Sequence, residues 1–125
     1  MPDAFVIHLH TGHGPDHFDL MLQRGPALAT WRVEADPAAL APGAEAPAVR
    51  LPDHRTAYLT YEGPVRRGRG CVRRVDAGTY ERIGADDDVW EIVLSGHGCR
   101  GRYALRREAG GADRWVLRRH ADAPG

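Results

Sequence analysis

The chain predicts an all-β protein, a compact antiparallel β-barrel of about eight or nine short strands with little helix. Apolar and polar residues alternate over many short runs, the period of a half-buried strand. Between the runs lie Gly, Pro and Asp in turn-forming combinations. The runs recur at the close, even spacing of a barrel or sandwich. Ala4–His10 is the first strand, with Phe5, Ile7 and Leu9 alternating with Val6, His8 and His10. His17–Gln23 sets Phe18, Leu20 and Leu22 against His17, Asp19 and Met21, and Ala27–Val33 follows across the turn Arg24-Gly25-Pro26. Glu34–Val49, rich in Ala and Pro and without periodicity, reads as a long loop over one barrel end with a helical turn at Pro37-Ala38-Ala39-Leu40. Thr56–Tyr61, Gly70–Val75, Gly78–Ile83, Val89–Leu94, Gly101–Arg107 and Arg114–Arg119 complete the strands. Their turns fall at Asp76-Ala77-Gly78, Gly84-Ala85-Asp86 and Gly110-Gly111-Ala112, and residues 120–125 read as a frayed tail. No repeat or second domain is visible. Residues 1–125 are expected to form one domain, long enough for a single core.

Composition narrows the chemistry. No apolar run approaches a membrane span and no basic-then-apolar leader is seen, so a cytoplasmic protein without a membrane partner is expected. Cys71 and Cys99 lack CxxC spacing and are expected to be reduced, half-buried strand residues. The formal net charge is zero, yet residues 1–49 hold two Arg against six acids and residues 50–125 hold fifteen Arg against eleven. The basic half offers a surface for phosphate and the acidic half a place for a cation; a solvated surface of mixed sign fits equally. All seventeen basic residues are Arg. Without Lys, a Walker-type phosphate loop, a Schiff-base enzyme and a lysine-nucleotidylating ligase are all excluded.

Two clusters carry chemistry. His8 to Asp19 gathers four of the seven histidines and two carboxylates. If the first two strands pair, His10, His17 and Asp19 share one face of a hairpin. That N,N,O set suits a divalent ion such as manganese or zinc with coordination positions left open. His8 has the same parity but lies one pair further from the loop, and His13, in the loop, is a possible extra ligand. The second cluster is Leu51-Pro52-Asp53-His54-Arg55-Thr56-Ala57-Tyr58. His54 and Tyr58 differ by four, which on a strand puts an imidazole and a phenol on one face, a pair suited to binding or protonating phosphate oxygens. Each cluster also has a plain reading, as solvated loop histidines and a core-edge tyrosine.

The ordered set of motifs resembles the 3′-phosphoesterase domain of bacterial ligase D, the end-joining DNA ligase, and its small stand-alone relatives. The matching segments are Phe5-Val6-Ile7 with His10, His17-Phe18-Asp19, Thr30-Trp31-Arg32-Val33, Asp53-His54 with Tyr58, and Tyr61-Glu62-Gly63. Gly68-Arg69-Gly70-Cys71-Val72, Asp76-Ala77-Gly78-Thr79-Tyr80 and the closing pair Gly101–Leu105 and Trp115–Leu117 complete the series. The resemblance implies a barrel with a manganese site at His10, His17 and Asp19, and with His54 and Tyr58 at the scissile phosphate. It implies removal of a 3′-terminal phosphate or ribonucleotide from a nucleic-acid end, with an end-joining ligase or polymerase as possible partner. The chain departs from ligase D in four places: one extra residue between His10 and His17 (Gly12 or Gly14), Met21 for a phosphate-binding Arg, Ala35 for a phosphate-contacting Lys, and Pro52 for an acid. Among the stand-alone relatives, Met is the normal residue after the Asp-Leu pair, at position 21. Arg50, Arg32 or Arg55 is expected to supply the phosphate contact, and Met21→Arg to tighten phosphate binding if that face is the active one. Two other readings stay open: a non-catalytic, metal-containing module that binds nucleic-acid ends, and a cupin-like metal barrel acting on a small molecule. The second lacks the Glu expected after the paired histidines.

Overall fold

A computed structural model describes residues 3–84 and 86–121. Nine strands follow in the order β1 (Asp3–Thr11), β2 (His17–Arg24), β3 (Ala27–Val33), β4 (Glu45–Arg55), β5 (Gly63–Pro64), β6 (Cys71–Ile83), β7 (Val89–Gly96), β8 (Arg100–Arg107) and β9 (Arg114–Arg119). All pairings are antiparallel. The order is β1-β2-β3-β4-β9-β8-β7-β6-β5, and β1 also pairs with β6. Eight strands thus close into a barrel with no open edge, and β5 lies along β6 outside it. Single 3₁₀ turns at Pro37–Ala39, Thr56–Leu59 and Arg66–Gly68 are the helical content among the described residues, none long and apolar enough to cross a membrane.

Alternation decides which residues fill the barrel. Phe5, Ile7, Leu20, Leu22, Trp31, Ile92, Leu94 and Leu105 point inward and are buried. Trp31 meets Trp90 and Trp115 edge-to-face, with ring centroids 5.1 and 5.4 Å apart, the geometry aromatic quadrupoles favour. The opposite parity of β1–β3 would ordinarily face water. Here Val6, Met21 and Leu28 are fully buried there, beneath Tyr58, Leu59 and Ala77. A second, smaller core therefore sits on the outside of the barrel wall.

That outer core corrects one expected strand. Thr56–Tyr61 holds a 3₁₀ turn, Thr56–Leu59, capped at Thr60, with the Thr60 and Tyr61 N–H groups both donating to the Ala57 carbonyl. Its apolar residues cover the outer wall instead of alternating across a sheet. The expected loop 34–49 is also corrected, because Glu45–Val49 belongs to β4 and pairs with Arg114–Arg118 of β9. Ala and Pro have weak strand propensity, but Ala46 and Ala48 are small enough to fill the inner face there. The helical turn at Pro37–Ala39 is present, with Asp36 Oδ1 accepting from the Ala38 N–H at 3.0 Å.

The expected turn Asp76-Ala77-Gly78 lies inside one continuous strand. Ile7 faces Asp76 while His8 faces Arg74, so Val75 is the extra residue of a bulge that bends β6. A Cβ on Gly78 would lie 2.1 Å from the Ser95 carbonyl oxygen, so only glycine fits. Asp76 turns its carboxylate to the β7–β8 turn and accepts from the N–H groups of His97, Gly98 and Cys99 at 2.8, 3.1 and 2.5 Å. Cys71 is exposed on β6, whereas Cys99 is buried in that turn rather than in a strand; neither is half-buried. The His120 N–H still donates to Arg102. Residues 122–125 of the expected tail and Ala85 of the expected turn lie outside the described residues.

Candidate metal centre and phosphate pocket

The outward parity of β1 and β2 brings the first cluster together. His10 faces His17 and His8 faces Asp19 across the β1–β2 pair, and Asp19 faces Arg32 across β2–β3. With the barrel interior filled by apolar side chains, these polar residues lie on the outer wall. The pocket they border, about 370 Å³ in volume, is bounded by His10, His13, His17, Asp19, Arg32, His54, Tyr58 and Arg69, with Leu51, Pro52 and Val65.

Two backbone carbonyls fix the histidine tautomers. His10 Nε2 lies 2.6 Å from the Arg69 carbonyl oxygen, and His17 Nδ1 lies 3.2 Å from that of Pro15. A carbonyl can only accept, so both ring nitrogens donate and the other two carry lone pairs. Those lone-pair atoms, His10 Nδ1 and His17 Nε2, lie 3.7 and 3.5 Å from Asp19 Oδ2 and Oδ1. One ligand atom from each of the three residues can be chosen within 4.8 Å of the others. Donors bonded to one ion at about 2.0–2.2 Å with near-tetrahedral angles are separated by ~3.3–3.6 Å. Asp19 Oδ1 is buried with no hydrogen-bond partner. Burial drives the Asp19 carboxyl above its usual range, opposed by His17 and His10. Lone pairs aimed at a buried, unpartnered carboxylate form a donor set that a divalent cation satisfies, and histidines oriented by carbonyls are the usual support of such a set.

Gly70 makes the His10 contact possible. Its φ is +81°, and a Cβ there would lie 1.9 Å from the Thr11 carbonyl oxygen. Without a side chain, the Arg69–Gly70 backbone can pass directly over the end of β1. His13 lines the pocket with its ring 6.3 Å from that of His10, outside the converging trio.

The second cluster reaches the same pocket from β4 and the turn after it. His54 Nδ1 donates to the Pro52 carbonyl at 2.9 Å, which leaves Nε2 as the acceptor of the neutral ring. Tyr58 stands on the 3₁₀ turn with its ring 5.5 Å from His54 and 6.2 Å from His8. His8 itself is buried beneath Tyr58, with Nε2 unpartnered. Burial lowers its pKa to about 4, against a raising hydrogen bond with the Tyr58 backbone, so it is a neutral ring behind Tyr58 and not among the residues that line the pocket.

The arginines divide. Arg32 lines the pocket 3.4 Å from Glu34, and Arg55 lines a neighbouring cavity. Arg50, expected as a phosphate contact, faces the opposite way. Its guanidinium lies 4.4 Å over the Trp31 ring and 3.5 Å from Asp53. The cause is a register shift between Leu28 and Thr30, where Leu28 faces His54 but Thr30 faces Leu51. That bulge puts Arg50 and His54 on opposite faces despite their even spacing. Arg69 is a pocket residue that sequence reasoning missed; its Gly-Arg-Gly setting was the available signal. Met21 shares the outward parity but is sealed in the outer core, so an Arg there has no route to phosphate. Ala35 packs against the inner core, away from the pocket.

The family model described as the DNA Ligase D 3′-phosphoesterase domain matches residues 8–107. Comparison with curated proteins finds no match.

Proposed function

The chain belongs to the DNA ligase D 3′-phosphoesterase domain family, and on that footing we propose that it is a metal-dependent phosphoesterase removing a 3′-terminal phosphate or ribonucleotide from nucleic-acid ends. An end-processing role of the phosphoesterase type follows from the family itself. The observation that carries the finer reading is the convergence of His10, His17 and the unpartnered Asp19 carboxylate on one point, in the pocket that His54 and Tyr58 also line. These three residues would hold manganese, with zinc or another divalent ion as the alternative. Such an ion supplies charge to offset the non-bridging phosphate oxygens and acidifies a bound water.

The remaining work falls to this chain's own side chains. With Nδ1 committed to Pro52, a protonated His54 donates from Nε2, to a phosphate oxygen or to the departing 3′-oxygen. The Tyr58 hydroxyl donates to a second phosphate oxygen. Arg32 and Arg69 supply the positive charge that Lys provides elsewhere. The 3′-hydroxyl left behind is the group that a ligase or polymerase of an end-joining pathway consumes. Family membership leaves the cupin-like reading without support.

The test is release of phosphate or nucleoside from oligonucleotides ending in a 3′-phosphate or a 3′-ribonucleotide, with manganese added. Wild-type turnover is expected, and His17→Ala should abolish it while the circular dichroism spectrum stays that of the barrel. Manganese binding without any release would make this chain an end-binding module instead.

A further inference from the structure

A second cavity, about 260 Å³ in volume, adjoins the phosphate pocket and is lined by Arg55, Ala57, Tyr58, Tyr61, Pro64 and Arg66. Tyr58 borders both cavities and forms the wall between them. From His54 to Tyr58 to Tyr61 the rings step by 5.5 and 5.6 Å. We infer that this cavity is a nucleoside subsite: it binds the nucleoside on the leaving-oxygen side of the scissile phosphate, with its base stacked on Tyr61 and its 5′-phosphate met by Arg55 and Arg66.

Tyr61 is built to present a ring. It is among the few large hydrophobic side chains exposed in the described residues, at 38%. Its hydroxyl donates to the Pro64 carbonyl at 2.5 Å, and its ring meets Tyr58 edge-on at an interplanar angle of 80°. Gly63 leaves room for it, since a Cβ there would lie 3.2 Å from the Tyr61 hydroxyl. An aromatic ring held at both ends yet open to solvent pays little ordering entropy when a base stacks on it. Among the described residues, neither Arg55 nor Arg66 forms an ion pair. The Arg66 carbonyl is tied to Arg69 Nε at 3.1 Å, so the loop is braced while the Arg66 guanidinium has no acidic partner.

Stacking on protein requires a base that has left its own stack, so the ligand is a single-stranded 3′ end. The subsite rests on the phosphoesterase reading for its orientation, but binding can be measured without turnover. A 5′-labelled single-stranded oligonucleotide ending in a 3′-hydroxyl is the product of the reaction and cannot be cleaved there. Its Kd is measured by fluorescence anisotropy with manganese present, for a normal and for an abasic terminal nucleotide. Removing the base should weaken wild-type binding ~10-fold, the loss of one stack. Tyr61→Ala should weaken the normal strand by the same factor and no longer distinguish the abasic one, while Tyr61→Phe should behave as wild type. Arg66→Ala should reduce the slope of log Kd against log salt by ~0.7, the value for one single-strand phosphate contact. Equal wild-type affinity for the two strands would overturn the subsite, and so would discrimination that survives Tyr61→Ala. If those binding results hold but no oligonucleotide is ever cleaved, the chemistry falls and the subsite stands. Cleavage with binding indifferent to Tyr61 gives the reverse.

Discussion

Asp19→Asn separates the metal centre from the barrel that carries it. The Asp19 carboxylate is buried, its Oδ1 has no partner, and it faces the lone pairs of His10 and His17 at 3.7 and 3.5 Å. The substituted amide removes that charge and brings an N–H that can donate to one of the two imidazoles. One new hydrogen bond contributes ~1 kcal/mol, so the metal-free variant should melt ~3–5 °C above metal-free wild type for a domain of this size. Manganese reverses the order. At a hundred times its Kd, a ligand bound only by the folded state stabilises by about 2.7 kcal/mol, which is ~10 °C here. Wild type should show that rise and the variant almost none. The assay is thermal unfolding followed by near-ultraviolet circular dichroism, with chelator and then with manganese. A variant that melts well below wild type in chelator, yet still rises with manganese, would refute both the desolvation cost at Asp19 and its place as a ligand.

Three further outcomes follow from side chains that the barrel turns away from the site. Arg50→Ala removes a guanidinium 4.4 Å over Trp31 and should cost ~1–2 kcal/mol, with altered tryptophan fluorescence and unchanged phosphate release. Lost activity at an unchanged melting temperature would return Arg50 to the phosphate. Met21→Arg should destabilise by ~3 kcal/mol or more, since the position is fully buried in an apolar cluster; a stable variant with tighter phosphate binding would contradict this. In the native protein iodoacetamide should label exposed Cys71 but not Cys99, whose thiol burial pushes up to about 11. Rapid labelling of both would show that the β7–β8 turn opens.

The sequence made the outer wall of the hairpin legible because a strand has one simple rule. Period-two alternation separated Phe5, Ile7, Leu20 and Leu22 from His10, His17 and Asp19, and the closed barrel keeps that division. The rule fails where a bulge interrupts it. Arg50 and His54 are four apart and should share a face, yet the register shift opposite Leu28 and Thr30 sends one into the barrel end and the other to the pocket. Spacing also joined His54 to Tyr58 for a different reason from the true one, since Tyr58 arrives on a 3₁₀ turn packed against the outer core. Arg69 was missed for a third reason. Gly-Arg-Gly marks a tight loop, but the partner of its carbonyl is His10, 59 residues away across the β1–β6 closure, which the local motif does not encode.

Placing a polar site on the outside of a filled barrel has a structural consequence. Inside, Trp31, Trp90 and Trp115 occupy the space where a cavity would otherwise form. A pocket on the outer wall must therefore be walled by chain that leaves the sheet, and besides the β1–β2 loop carrying His13 two segments do this: the turn Thr56–Leu59 and the loop carrying Arg66–Gly68 and Arg69. Their anchoring is unequal. The first is held by apolar burial over Val6, Met21 and Leu28, whereas the second is held largely by polar contacts, among them the Val65 N–H to the Gly70 carbonyl at 2.7 Å and His10 to Arg69 at 2.6 Å. Segments with few buried apolar contacts open locally at lower cost than the sheet beneath them. The Arg66–Gly70 loop is thus the less firmly anchored part of the wall, and the histidine that its Arg69 carbonyl orients is a candidate metal ligand.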